Sequence, residues 1–374
     1  MQATARQWLE RIRALPPVQK VKIMNVCGGH ERSISMAGLR TALPDHIELI
    51  PGPGCPVCIC PEEDVFEAIQ LALHEDIILV AFGDMLRVPV NVKKSRARTL
   101  EQARSQGADI RPIASPTEAV KIARQHPDQV VIFFAAGFET TTAPVASMLV
   151  EGVPDNLYLL LSGRLTWPAV AMLLESGDAG FDALIAPGHV ATVMGPEEWE
   201  FVVEQHNMPA AIAGFTPESL LAAMYSVLRQ LGNGRYFLDN CYPQLVREGG
   251  NPSARGQLEK AFDVRDANWR GVGIIPDSGY VLRDQFRQHD ARVHFPSYAD
   301  DARKRAGEMP PGCDCAGVVL GKIYPNECRL YGKACVPRNP IGPCMVSDEG
   351  ACRIWWANGM RTRESVGSNM LKKR

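Results

Sequence analysis

The stretch Val130-Val-Ile-Phe-Phe-Ala-Ala-Gly137, followed at once by Phe138-Glu-Thr-Thr-Thr-Ala-Pro144, decides the fold. Its apolar residues run without a polar interruption and then stop at a glycine. A strand with one wet face alternates apolar and polar residues, whereas a strand buried on both faces does not. The same kind of run recurs on either side. VKIMNV (21–26), IELI (47–50), DIILVAFG (76–83) and DIRPIA (109–114) come before it; LYLLLS (157–162), ALIAPG (183–188) and AAIAGF (210–215) come after. Amphipathic segments such as EEDVFEAIQLALH (62–74), TWPAVAMLLES (166–176) and PESLLAAMYSVLRQL (217–231) separate them. This alternation predicts an α/β fold with parallel sheets covered on both faces. Two successive sets of four units predict two small parallel-sheet α/β domains of similar build. Past Gly232 the texture changes. Gly, Pro and Cys increase, and GVGIIP (271–276) is the single buried-strand candidate.

Composition excludes several classes. The 374 residues are 46% hydrophobic and 22% charged, with a net charge of −2. Neither a nucleic-acid partner nor a membrane surface is expected from that balance. The basic run Lys93-Lys94-Ser-Arg96-Ala-Arg98 reads as a solvated helix face, and no apolar stretch is long enough to span a bilayer. The opening MQATARQWLERIRALPP lacks the apolar core of a secretory signal, which points to the cytoplasm. Thiols are kept reduced there, so eleven cysteines suggest metal binding or catalysis rather than structural disulfides. Cys241 and Cys60 read as small buried hydrophobes.

Ligands of open α/β sheets bind beyond the carboxyl ends of strands. The unusual residues fall there. Cys27-Gly-Gly-His30-Glu31 follows the first run, and Pro51-Gly-Pro-Gly-Cys55-Pro-Val-Cys58 follows the second. Gly137-Phe-Glu139-Thr140-Thr141-Thr142 and Pro187-Gly-His189 follow two later ones. Cys27 offers a soft thiolate and His30 a proton carrier. Glu31 could orient the histidine or take up a proton. The prolines at 51, 53 and 56 keep the second loop out of any sheet. Its Cys-x-x-Cys pair lacks partners at zinc-finger spacing, and a dithiol cycling with its disulfide is the better reading. In GFETTT a threonine could cap the helix that follows. His189 alone reads as structural.

The tail holds Cys313, Cys315, Cys328, Cys335, Cys344 and Cys352, with no histidine after His294. An all-cysteine site is expected, holding zinc or an iron–sulfur cluster, with iron–sulfur preferred.

Taken together, CGGHE (27–31), GPGCPVC (52–58), GFETTTAP (137–144), PGHV (187–190) and the spaced tail cysteines (313–352) resemble the HypD family of [NiFe]-hydrogenase maturation factors over nearly the whole chain. The resemblance implies a scaffold that works with a HypC-type chaperone to assemble an Fe(CN)2(CO) unit. Cyanide would come from a HypE-type donor, with HypF upstream. It implies that Cys27 holds the iron and that Cys55 and Cys58 are the redox dithiol. Cys313, Cys328, Cys335 and Cys352 would bind a [4Fe–4S] cluster, leaving Cys315 and Cys344 as a second redox pair. It divides the chain into an N-terminal helix (1–20) packing on the C-terminal domain, α/β domains at 21–115 and 116–232, and a cysteine-rich iron–sulfur domain at 233–374. Two rival functions are an iron–sulfur oxidoreductase acting on another protein's disulfide and a zinc-stapled binding module.

Overall fold

The computed structural model describes residues 3–16, 19–93, 95–177, 179–303 and 309–360. Nine strands form two all-parallel sheets. They are β1 Val21–Asn25, β2 Ile47–Pro51, β3 Ile77–Phe82, β4 Asp109–Ile113, β5 Val130–Gly137, β6 Leu157–Gly163, β7 Ala183–Pro187, β8 Ala210–Ala213 and β9 Leu238–Asn240. One sheet has the order β2-β1-β7-β8-β9 and the other β4-β3-β5-β6. In β5 every residue after Val130 is buried, as the unbroken apolar run requires.

The sheets are not built from successive sets of four strands. β1 pairs with β2 on one side (Val21 beside Ile47) and with β7 on the other (Ile23 beside Ala183). Strands β3 to β6 form the second sheet by themselves. The chain therefore leaves the first sheet after Pro51 and returns to it at Ala183, and the boundary expected at 115/116 falls inside one sheet. An apolar run reports burial on both faces but carries no record of its neighbour, so sequential grouping had no physical support.

The N-terminal helix Ala5–Arg13 starts with a capping box at Thr4. It packs on the helix Pro217–Asn233, with the Trp8 and Tyr225 rings 5.5 Å apart and Ile12 buried beside Leu220 and Met224. It thus belongs to the first sheet's outer layer, not to the C-terminal domain. Within 233–374, β9 extends the first sheet, and Phe262–Trp269 (β10) forms an antiparallel hairpin with Gly273–Leu282 (β11). The expected strand at 271–276 is only the start of β11. Its partner FDVRDANW was not expected because polar, exposed residues interrupt it.

The basic run at 93–98 is not helical among its described residues, and Lys94 lies outside them. The chain there loops back, with Val90 N–H donating to Arg98 C=O at 2.8 Å, and the next helix begins only at Leu100 behind a Thr99 cap. Residues 309–360 form short turns and helices that share one apolar cluster with Cys55, Val57, Cys58, Ile59 and Trp269. This segment borrows its core from the α/β body. Residues 361–374 of the expected C-terminal domain lie outside the described residues. Among the described residues no helix is long and apolar enough to cross a membrane.

Candidate functional site

The ends of β1 and β2 lie side by side because the two strands pair in parallel register. Their loops are tied together: Gly52 N–H donates to Asn25 C=O at 2.8 Å, and Gly28 N–H to Gly54 C=O at 3.0 Å. A Cβ on Gly54 would lie 2.4 Å from the Cys27 Cα and 2.5 Å from its amide nitrogen. Backbone faces backbone there and neither can yield. Gly54→Ala is expected to destabilise the protein by about 3 kcal/mol, the upper range for overpacking. Chemical denaturation would measure it, and a loss below ~1 kcal/mol would mean that the loops can part.

Cys27 caps the helix Gly28–Met36, and Cys55 caps the short helix Pro56–Ile59. Cys55 and Cys58 are joined in a disulfide, and Cys58 N–H donates to Cys55 Sγ at 3.2 Å. Cys27, Cys55, Cys58, Cys344 and Glu349 line one narrow cavity. Burial pushes the Cys27 thiol up to about 12, and the Glu349 carboxylate adds to that; the amides of His30 and Gly29 oppose it. The thiol is thus neutral at rest and would release its proton on meeting a metal cation. Burial likewise lifts Glu349 to about 7, with Asp84 adding to it.

His30 is fully buried. Its Nε2 lies 3.0 Å from Ala213 C=O, which can only accept, so Nε2 carries the proton and Nδ1 is left without a partner. Burial lowers it to about 4, so the ring is neutral near pH 7. Phe215 stacks against both His30 (4.8 Å) and His189 (3.9 Å). The CGGHE, PGPGC and PGH loops therefore meet at one end of the first sheet. Neither oxygen of Glu31 bonds to His30. They accept from Arg40 Nη2 (2.7 Å), Trp355 Nε1 (2.7 Å), Asn25 Nδ2 (3.2 Å) and Ser35 Oγ (3.3 Å). Trp355 sits on the helix Ala351–Ala357, so Glu31 fastens the cysteine tail to the body.

GFETTT follows β5 in the other sheet and does not line this cavity. No threonine caps its helix, since the cap residue is Phe138. Glu139 accepts instead from the Thr166 amide and hydroxyl. Burial raises Glu139 to about 7; burial and then Glu139 itself raise Glu198 to about 8, with Arg255 opposing. A carboxyl raised in the fold stabilises below its unfolded pKa and loses that contribution as pH climbs through the folded one. Glu198→Gln has no proton to lose. Its melting temperature should gain on the wild type between about pH 5 and about pH 8, and a constant difference across that window would refute the buried pair.

The tail cysteines gather around Cys315. A Cβ on Gly342 would lie 2.4 Å from Cys313 Sγ and 2.5 Å from Cys315 Sγ, so both sulfurs sit against a bare Cα. Cys344, wholly buried, donates its thiol to Cys315 C=O at 4.0 Å, and the thiols of Cys315 and then Cys344 draw the Cys352 thiol downward. Cys335 Sγ accepts from Ile341 N–H at 3.4 Å. Among the described residues no group of three or more His, Cys, Asp or Glu is placed to hold a single metal ion. A four-iron cluster spreads its thiolates more widely than one ion does and takes four of them, a set that six thiols without imidazole can supply with two to spare. Cys60 points elsewhere, its Sγ 3.4 Å from Ser162 Oγ, which donates to Asp64. Sequence reasoning missed Glu349 and Phe215. Phe215 follows β8 and was open to the strand-end rule; Glu349 had no signal beyond its cysteine neighbours.

Together these features define a two-sheet α/β protein with a free thiol, a disulfide and a cysteine-rich tail gathered at the carboxyl edge of one sheet. The family described as "HypD: Hydrogenase formation hypA family" matches residues 3–359. The hydrogenase maturation factor HypD of Azotobacter vinelandii is 39% identical over 374 residues, covering 97% of this chain and 96% of that protein. The HypD proteins of Cupriavidus necator (37%; 92% and 91% covered) and Rhodobacter capsulatus (38%; 91% and 89%) are similar too. The chain belongs to the HypD family of hydrogenase maturation factors.

Proposed function

We propose that this protein is a cytoplasmic scaffold on which, with a HypC-type chaperone, the Fe(CN)2(CO) unit of [NiFe]-hydrogenase is assembled. One observation carries the reading: the free Cys27, the Cys55–Cys58 disulfide and Cys344 line a single cavity. Cys27 would hold the substrate iron as a thiolate, and cyanide would arrive from a HypE-type donor supplied by HypF. Cys313, Cys328, Cys335 and Cys352 would hold a [4Fe–4S] cluster, which when bound supplies electrons singly. The thiols of Cys315 and Cys344 can exchange with the Cys55–Cys58 disulfide. One pair then becomes a disulfide and the other two thiols, with electrons and protons balanced. The oxidoreductase reading is less favoured because Cys55 and Cys58 are 5% and 2% exposed, out of reach of another protein's disulfide.

The test is anaerobic purification with the HypC-type partner followed by infrared spectroscopy. Cyanide and carbonyl stretches are expected on the complex, and their absence from an iron-replete complex would overturn the proposal. Cys328→Ala and Cys335→Ala should each lose the brown cluster and loosen 309–360, a segment with little core of its own. Iron analysis and visible absorption would check this, and a full cluster in either variant would strike that residue from the ligand set.

A further inference from the structure

Arg98, which closes the basic run that the assembly reading leaves unused, lines a second site. A groove of about 450 Å³ opens between the loop before Leu100 and the loop after Cys335, lined by Arg87, Arg98 and Arg338 with one acid, Glu101. None of the three arginines makes an ion pair among the described residues. The loop before Leu100 also carries Lys93 and Arg96, both exposed. On a chain of net charge −2 this is a local excess of positive charge. Under its rim the buried Arg270 donates to Pro89 C=O at 2.6 Å and pairs with the buried Glu62 at 4.0 Å, so the groove's positive charge comes from its rim arginines alone.

The groove's other wall, Pro337–Pro340, begins two residues after Cys335. It turns back through a Val336–Asn339 bridge so that Ile341 N–H reaches the Cys335 sulfur. The tail thus has two sides: the buried Cys335 lies two residues behind the groove wall at Pro337, and Cys344 borders the cavity that holds Cys27 and the disulfide.

We infer that this arginine groove is the docking site for a small acidic one-electron carrier that reduces the tail cluster. Electron-transfer encounters bury little area and rely on complementary charge to steer association. A shallow cationic cleft beside a redox centre has that form, and Cys335 and then Cys344 give the electron an entry and an exit. The inference rests on the cluster proposed above.

The experiment uses the full chain purified anaerobically with its cluster and a chemically reduced acidic [2Fe–2S] ferredoxin as probe. Stopped-flow absorption follows the bleaching of the cluster. The second-order rate should fall as salt is raised, because the steering charges are exposed. Arg338→Glu and Arg87→Glu should each slow it about tenfold at low salt and flatten the salt dependence. Arg338→Gln should do the same more weakly. Photoreduced deazaflavin, small and uncharged, should reduce all variants at the wild-type rate. Arg229→Glu and Arg235→Glu, in a separate groove, should change nothing. A cluster-bearing protein whose ferredoxin rate ignores Arg338 and Arg87 overturns the docking site alone. A wild type that never acquires a cluster overturns the assembly reading, and this site with it.

Discussion

Cys27→Ala is expected to fold, to keep its tail cluster, and to lose every cyanide and carbonyl band of the partner complex together with all hydrogenase maturation. The fold survives because Cys27 is a cap residue whose side chain makes no capping hydrogen bond, and Ala removes only a sulfur that faces a cavity. The cluster survives because its four proposed ligands all lie between Cys313 and Cys352. The chemistry fails because no other free thiol stands in that position. Cys55 and Cys58 are joined in a disulfide, and Cys344 is held behind them by its bond to Cys315 C=O. A low-spin iron with cyanide and carbonyl ligands calls for a soft donor, which neither Glu349 nor His30 supplies. Normal bands in this variant would mean that the iron is held elsewhere.

Glu31→Ala should be the most destabilising single change at the site, by about 3–5 kcal/mol, the range for breaking a buried ion pair. The carboxylate is 1% exposed and is the shared acceptor of four donors, one of them the Arg40 guanidinium. Removing it strands a charge that also lies over the Trp355 ring, at 5.1 Å from its centroid. The loss should reach the cluster, since Trp355 and Cys352 share a helix and Glu31 is what Trp355 Nε1 holds. Glu31→Gln keeps an acceptor and should fall between. Calorimetry and iron content would check both, and a wild-type melting temperature with normal iron in Glu31→Ala would show that the tail docks without this contact.

Glu31 also shows where sequence reading stops. Its place four residues after a cysteine and one after a histidine suggested proton chemistry. Three of its partners, at positions 25, 35 and 40, lie within nine residues of it; the fourth, Trp355, is brought by the tail folding back across more than three hundred residues, which no local pattern encodes. Apolar runs such as VVIFFAAG were legible because burial on both faces suppresses alternation; the strand-end rule pointed to Cys27, Cys55, Cys58 and His189, but equally to GFETTT, which lies in the other sheet. The same runs are interchangeable as sheet neighbours, so the pairing of β1 with β7 was hidden. The β10 strand was hidden for the opposite reason, being half exposed and rich in charge. The tail's convergence was legible as a cysteine count, while the contact of Gly342 with two sulfurs was not.

The return of the chain to its first sheet has a consequence for birth on the ribosome. β1 needs β7, which is translated more than a hundred residues later. At roughly 5–20 residues per second, the first hairpin-sized fragment of that sheet waits on the order of ten seconds with one edge open. The Cys27 thiol and the Cys55/Cys58 pair emerge in that interval, before the strands and tail that enclose them. Meanwhile β3 to β6 are complete and can fold as a unit. The second sheet therefore matures first, and the cavity at Cys27 is sealed last, when the cysteine tail leaves the exit tunnel.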